Sequence, residues 1–499
     1  MDILANVVLG LDVATSGSNL LYCFIGVFVG TAIGVLPGLG PFTTISILLP
    51  LTFGLPPTAA LIMLAGIFYG AQYGGSTTAI LVNLPGEASS VVTALDGFKM
   101  AQKGRAGLAL ATAAIASFIA GTIATVLMVL FTPSLASLAL TFQPADYFSL
   151  MVLGLVASIV LAHGSLLHAV AMILIGLLFG IVGSDVSSGK IRFAFGVPEL
   201  ADGLDFVIIA MGIYGLGEIV ANLEKPQSTR PTTRNIGSRL PSMADYKAIF
   251  APVMRGTGLG SLLGILPGGG ATLASFAAYS VEKKVARHPE QFGHGAIQGV
   301  ASPEAANNAA AQTSFIPMLT LGIPGNPVMA LMIGALMIQG IQPGPTIMTK
   351  QPELFWGLIA SMWIGNLMLL VLNLPLVGMW ARLISVPYHL LFPTILLVCC
   401  IGVFSVNNAT IDVYLMGLFG VIGYFFRKVN CEPAPMLLGF ILGPMMEEYL
   451  RRALLLSKGD PSIFLTRPAS AIMLGLAALL LAVVLLPTIR KTREIAFQE

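Results

Sequence analysis

Two stretches of this chain read as interrupted apolar helices, and they match each other. Residues 34–41 run Gly34-Val-Leu-Pro-Gly-Leu-Gly-Pro41, and residues 264–271 run Gly264-Ile-Leu-Pro-Gly-Gly-Gly-Ala271, 230 positions later. Pro37 and Pro267 lack a backbone donor and clash with the preceding turn, so neither stretch continues as helix. Gly38, Gly40, Gly268, Gly269 and Gly270 favour unwound backbone. In hydrocarbon, unwound backbone is tolerated only where it is buried in protein or lines a water-filled cavity. A second pair follows: Asn83-Leu-Pro85-Gly86 before Glu87, and Gly322-Ile-Pro324-Gly325 before Asn326. The chain therefore reads as two copies of one unit. Paired interruptions in two halves point to the binding site of a secondary transporter.

Composition supplies the hydrocarbon. Charged residues are 10% of the 499, against about 25% in a soluble domain, and hydrophobic residues are 56%. So few charges cannot clothe a soluble surface. A net charge of +2 gives no basic footprint for nucleic acid. Apolar runs of ~17–25 residues read as crossing helices. Uninterrupted ones lie near 106–131, 146–162, 166–183, 204–223, 353–373, 391–406 and 468–487. Those near 20–54, 58–86, 256–281, 310–340 and 411–443 are expected to be broken by Gly and Pro. The fold class is an all-α polytopic membrane protein of roughly ten to twelve spanning or re-entrant segments. Continuous apolar runs exclude a β-barrel.

Residues 224–255 form the longest polar segment. It carries Lys225, Arg230, Arg234, Arg239, Lys247 and Arg255 and reads as a cytoplasmic loop. It divides a first repeat half, 1–223, from a second, 256–499. Lys99, Lys103 and Arg105 mark another cytoplasmic loop, and Arg490, Lys491 and Arg493 put the C-terminus inside. Segment 256–282 has cations at both ends, Arg255 before it and Lys283, Lys284 and Arg287 after it. With its break at the centre, each arm is ~15 Å of helix, half the bilayer core. A re-entrant hairpin returns both flanks to the cytoplasm. The segment around Pro37 has no cation on either side before Lys99, so it belongs to the opposite face. The repeats are then inverted. The first 98 residues hold no Lys or Arg, so no signal peptide is expected.

The polar residues near the breaks are mostly neutral: Thr43, Thr44, Ser46, Ser76, Thr77, Thr78 and Asn83, then Thr272, Ser275, Asn307, Asn308, Thr313, Ser314, Thr320 and Asn326. Such oxygens are hard ligands that favour Na⁺ over H⁺, and half-helix N-termini suit a carboxylate. Taken singly, a membrane Ser or Thr bonds its own helix backbone more often than a ligand. Ser302 as N-cap with Pro303 at the first helical position would start a helix on which Glu304 and Asn308 share a face. Intramembrane carboxylates are functional suspects. Glu87, Asp96, Asp146, Glu218, Glu304 and Asp412 sit in or beside apolar segments, where most cap helices or mark the interface. The four cysteines, Cys23, Cys399, Cys400 and Cys431, have no ligand spacing. His163 and His168 share no helix face and suggest no metal. No Gly-Lys-Ser/Thr follows the glycines, so no nucleotide loop is present. No Ser/His, Asp/Asp or His/Glu constellation suggests an enzyme.

The sequence resembles the large membrane subunit, the TctA family, of bacterial tripartite tricarboxylate transporters. The matching text includes Gly34–Pro41, Leu49–Gly54, Tyr73-Gly-Gly-Ser-Thr-Thr78, Asn83–Glu87, Thr93-Ala-Leu-Asp-Gly97, Gly264–Ala271, Pro303-Glu304, Asn307–Ala310, Leu319–Gly325 and Gly340–Pro345. The resemblance implies a multi-pass protein of the bacterial inner membrane that forms the substrate pathway. It implies two partners, a small four-helix membrane subunit (TctB type) and a periplasmic solute-binding protein (TctC type). Uptake of tricarboxylate or related carboxylate anions would be driven by Na⁺ or H⁺, with no other cofactor. A stand-alone carboxylate carrier is the alternative. Carried onto this sequence, the motif positions become candidate substrate contacts: Pro37, Gly38, Gly40, Thr43, Ser76, Thr77, Asn83, Pro85, Gly86, Pro267, Gly268, Gly269, Gly270, Asn307, Asn308, Pro324, Gly325 and Asn326. Candidate cation contacts are Thr44, Thr78, Thr272, Glu304, Thr313, Ser314 and Thr320.

Overall fold

A computed structural model describes residues 3–36, 39–161, 165–185, 188–224, 241–266, 270–383 and 388–485. The first half holds α1 (Ile3–Thr15), α2 (Gly17–Gly34), α3 (Pro41–Leu48), α4 (Pro57–Val82), α5 (Val91–Gln102) and α6 (Ala106–Ala139). It continues through α7 (Pro144–Leu161), α8 (Leu166–Gly180), α9 (Phe206–Ala210) and α10 (Gly217–Leu223). A π-helical stretch, Met211–Leu216, joins the last two. The second half begins with α11 (Met243–Ile265), α12 (Gly270–Val285), α13 (Gln298–Thr313), α14 (Phe315–Leu321), α15 (Pro327–Ile338), α16 (Ile347–Lys350) and α17 (Pro352–Asn373). It ends with α18 (Val377–Leu383), α19 (Tyr388–Asn407), α20 (Thr410–Lys428), α21 (Ala434–Leu456), α22 (Ile463–Thr466) and α23 (Pro468–Leu485). Among the described residues, five helices (α2, α6, α11, α17 and α20) are long and apolar enough to cross a membrane alone, beside several shorter apolar ones. The all-α polytopic class stands. A two-stranded antiparallel hairpin, β1 (Gly183–Ser184) with β2 (Ile191–Arg192), is the one local addition among them.

Close backbone contact builds both repeats. A Cβ on Gly26 or Gly30 of α2 would lie 2.3 Å from the Met63 carbonyl oxygen or 2.5 Å from that of Ile67, both on α4, and one on Gly34 would lie 2.5 Å from Ala71. On α11, a Cβ on Gly256, Gly260 or Gly264 would lie 2.3, 2.3 or 2.5 Å from the carbonyl oxygens of Ser302, Ala306 or Ala310 on α13. The two glycine rows are 230 positions apart and their seats 239 apart. Asn83 and Gly322, also 239 apart, are both left-handed C-caps, at φ 54° and 70°. Small residues let helices in lipid approach until backbones touch, and here they do so identically twice.

The pairing direction fixes how the repeats relate. Gln72 and Ser76 of α4 bond Asn307 and Glu304 of α13, so one helix advances as the other retreats. The next equivalent pair, α6 and α17, behaves alike: Asn366 Nδ2 donates to the Phe118 carbonyl and Trp363 Nε1 to that of Thr122. Equivalent helices that meet antiparallel require a two-fold axis across them, which inverts one repeat against the other. The flanks of the 256–282 segment meet as a hairpin requires, although α11, which begins at Met243 and runs 23 residues, is longer than the half-span arm expected. Arg255 of α11 grips Glu282 of α12 through two hydrogen bonds, at 2.9 and 2.7 Å, so the two arms run side by side.

Several expectations are corrected. Residues 243–255 of the polar segment are not loop. Ser242 and Asp245 form a capping box that starts α11 at Met243. The 58–86 run is not broken midway. α4 is continuous to Val82, because its glycines sit against α2 rather than unwinding: a Cβ on Gly70 would lie 2.6 Å from the Val27 carbonyl oxygen. Ser302 is no N-cap and Pro303 no first residue. α13 starts at Gln298 and Pro303 lies inside it, at the cost of one backbone bond to the Gly299 carbonyl. The 411–443 run, by contrast, is broken as expected, into α20 and α21 with Pro433 between them.

Two outcomes follow from this packing. Gly260→Ala should lower the thermal midpoint of the purified protein, by the equivalent of about 1–3 kcal/mol for overpacking. Gly258→Ala, two residues away with nothing within 4 Å of its Cβ position, should not. Equal midpoints for the two variants would reject the seating. After replacement of the four cysteines, single cysteines at Ser18 and Lys283 should react with an impermeant thiol reagent from the outside and the inside respectively. Reaction of both from one face would reject the assigned orientation.

Candidate functional site

Where α4 and α13 cross, the second repeat places a carboxylate among hydroxyls of the first. Glu304 is 1% exposed. Ser76 of α4 donates to its two oxygens at 2.8 and 2.9 Å, Thr93 of α5 donates to Oε1 at 2.5 Å, and Ser117 of α6 donates to Oε2 at 3.4 Å. Glu304 makes no ion pair among the described residues. One turn on, Asn308 Nδ2 donates to the Glu304 carbonyl at 3.1 Å and to Ser117 Oγ at 2.7 Å, so the shared face holds. Asn307 accepts from Gln72 and donates to Glu87 Oε1, both at 3.1 Å. Hydrogen bonds thus satisfy the buried amide groups of Asn307 and Asn308, as apolar surroundings demand.

The breaks lie beside this cluster. Gly40, the N-cap of α3, is so close to Gly86 that a Cβ would lie 3.1 Å from the Gly86 carbonyl oxygen. A Cβ on Gly86 would lie 2.5 Å from Gly75. Thr78 reaches out of α4 to the Val35 carbonyl at 3.1 Å, and so satisfies freed backbone. In the second repeat, Gly270 (φ 51°) sits beside Asn326, and Gly325 beside the carbonyls of Gly264 and Leu266. Each half therefore brings its two breaks together. Asn326 caps α15 by accepting from the Met329 N–H at 3.0 Å. Helix N-termini at Pro41, Gly270 and Pro327 begin directly at the breaks. Asn83 is exposed, Pro85 half-buried, and Pro324 buried. Pro37, Gly38, Pro267, Gly268 and Gly269 lie outside the described residues.

Other candidates turn to their own backbone. Thr77 donates to the Tyr73 carbonyl, Thr313 to Ala309, Ser314 to Ala311 and Thr320 to Ile316. Thr44 donates weakly, at 3.5 Å, to the Leu39 carbonyl. Thr43 is buried on α3 and Thr272 half-buried on α12, and no described hydrogen bond ties Thr272 to the Glu304 cluster. Sequence reasoning missed Gln72, Ser117, Gln312 and Asn366. Tyr73 donates to Asn366 at 3.0 Å and Thr125 to Gln312 at 3.2 Å. Ser117 and Asn366 lie in runs that read as plain spans, where scattered polar residues such as Thr112, Thr125, Ser361 and Asn373 give neither of them a mark of its own.

The remaining carboxylates have structural partners. Asp146 pairs with Arg467 at 2.6 Å, and Asp412 accepts from Asn407 at 3.0 Å. The side chain of Glu218 and the residue His163 lie outside what is described. Asp96 is fully buried. Its Oδ1 accepts the N–H groups of Gly293, Gly295 and Ala296 at 2.9, 2.7 and 2.8 Å, and its Oδ2 the Tyr279 hydroxyl at 2.9 Å. It sits one turn from Thr93 on α5, so one short helix touches both Glu304 and the loop before α13. Nearby, Lys103 donates to the His294 carbonyl at 2.6 Å. Asp96→Ala would orphan three backbone donors and should cost about 3 kcal/mol or more, read as a lowered thermal midpoint. A midpoint equal to that of the unaltered protein would reject this role.

The profile of the Tripartite tricarboxylate transporter TctA family matches residues 20–438. A protein of Agrobacterium vitis described as "Uncharacterized 52.8 kDa protein in TAR-I ttuC' 3'region" is 55% identical over 499 residues, which is 100% of this chain and 99% of that protein. Another from the same organism, "Uncharacterized protein in TAR-II ttuC' 3'region", is 59% identical over 240 residues, 48% of this chain and 99% of its own length. No solved structure matches the chain.

Proposed function

The chain belongs to the tripartite tricarboxylate transporter TctA family, and on that premise we propose that it is the translocating subunit of a bacterial inner-membrane uptake system. The substrate is a tricarboxylate or related organic carboxylate anion. A periplasmic solute-binding protein (TctC type) delivers it, a small membrane subunit (TctB type) completes the membrane complex, and a Na⁺ or H⁺ gradient drives uptake.

The observation that carries this reading is the antiparallel crossing of α4 and α13, with paired breaks in each repeat. Two units of one design, inverted, can exchange conformations, and the exchange opens a shared site to alternate faces. The helix N-termini at the breaks carry partial positive charge, which suits a carboxylate better than a cationic or neutral solute. The Glu304 cluster presents a carboxylate and hydroxyl oxygens, which suit a cation.

Proteoliposomes test the delivery step. With both membrane subunits and an imposed ion gradient, uptake of carboxylate at low concentration should require added binding protein. Equal uptake without it would favour the stand-alone carrier.

A further inference from the structure

A small cavity lies between the repeats, with about 10 Å³ of room, the space of about one water-sized sphere. Its polar lining is Tyr73, Ser76 and Thr77 of α4, Ser117 of α6, Glu304 of α13 and Asn373 of α17, and the rest is Leu110, Ala113 and Ala114. All six polar residues are buried. Asn373 Nδ2 donates to the Leu369 carbonyl at 2.9 Å, which fixes the amide's orientation. Its Oδ1 is left buried with no hydrogen-bond partner among the described residues, on a residue 6% exposed. A buried orphan acceptor that lines the same cavity as a buried carboxylate, which has no cationic partner among the described residues, suits a positive group between them.

We propose that this cavity is a Na⁺ site, formed by the Glu304 carboxylate, the oxygens of Ser76, Thr77, Ser117 and Tyr73, and Asn373 Oδ1. A hard cation takes oxygen ligands, and every polar group here offers one. One carboxylate neutralises a monovalent ion and leaves a divalent ion half-compensated. A proton on Glu304 could satisfy a single acceptor, whereas a cation is shared by all of them, the Asn373 oxygen included. The space is far too small for a carboxylate substrate. Asn308 and Thr93 act as positioning residues. Asn308 holds Ser117 through its Oγ, and Thr93 holds Glu304 Oε1. The ligands come from both repeats, so occupancy ties α13 and α17 to α4 and α6. The ion's role in driving transport rests on the function proposed above; its binding does not.

The test uses purified full-length protein, without substrate or partner subunits, at constant ionic strength with choline replacing Na⁺. Na⁺ should raise the thermal midpoint saturably, and ²²Na⁺ should bind, with K⁺ a poor competitor. Glu304→Gln, Ser117→Ala and Asn373→Ala should each weaken the apparent Na⁺ affinity about tenfold or more, the scale on which loss of a group that supports a metal site is felt. If Glu304→Gln does not fold, the other two variants, which keep the carboxylate, decide the matter. No bound ²²Na⁺ and no Na⁺-dependent midpoint in the unaltered protein would overturn the site. So would unchanged affinity in Ser117→Ala and Asn373→Ala, or stabilisation by acid alone in choline. Sodium binding without carboxylate uptake would instead count against the transport reading and leave the site standing.

Discussion

A peptide group freed from a helix inside hydrocarbon has no water to turn to, so the protein itself must bury it and bond it. The four breaks in this chain make that requirement acute, and contact between backbones meets it. α2 lies on α4, and α11 on α13, at a distance that leaves room for no Cβ at the contact glycines of α2 and α11. That approach brings Gly40 against Gly86 and Gly270 against Asn326, so each break is walled by the other break of its own repeat. Thr78 then reaches the Val35 carbonyl from the neighbouring helix.

The second constraint is charge. A buried carboxylate is expensive unless it is compensated, and Glu304 has three hydroxyls, one each from α4, α5 and α6. Every one of those donors belongs to the repeat that does not carry Glu304. The carboxylate therefore acts as a joint between halves rather than as a feature of one. Its neighbours extend the joint through Asn307 to Glu87 at a break and through Asn308 to Ser117. α5 carries the connection onward, since Asp96, one turn from Thr93, anchors the loop that precedes α13.

Much of the architecture was legible because hydrophobicity and Pro/Gly chemistry are local properties. The apolar runs at 146–162, 166–183 and 353–373 became α7, α8 and α17 with small end shifts. The match of Gly34–Pro41 with Gly264–Ala271 foretold the repeat, and the flanking cations of 256–282 foretold a hairpin whose arms Arg255 and Glu282 clasp. The errors came where one residue type serves two purposes. Glycine in α4 was read as a breaker and proved to be a contact surface. Ser302-Pro303 has the look of a helix start, yet α13 begins earlier, at Gln298, just after the Gly293–Ala296 turn that Asp96 holds from another helix.

By itself the sequence determined that this chain lives in a bilayer, that it is built twice, and where its helices fail. Those facts depend on residues near one another along the chain, or on two copies of the same text. Only the tertiary structure decided which hydroxyls face Glu304, because Ser76, Thr93 and Ser117 stand 228, 211 and 187 positions away from it and hydroxyls are common in membrane helices. It likewise decided that Thr77, Thr313, Ser314 and Thr320 bond their own helices, and that Asn373, unremarked in an apolar run, leaves an oxygen without a partner among the described residues. A single polar residue carries no mark of its partner; the crossing of α4 and α13 assigns one.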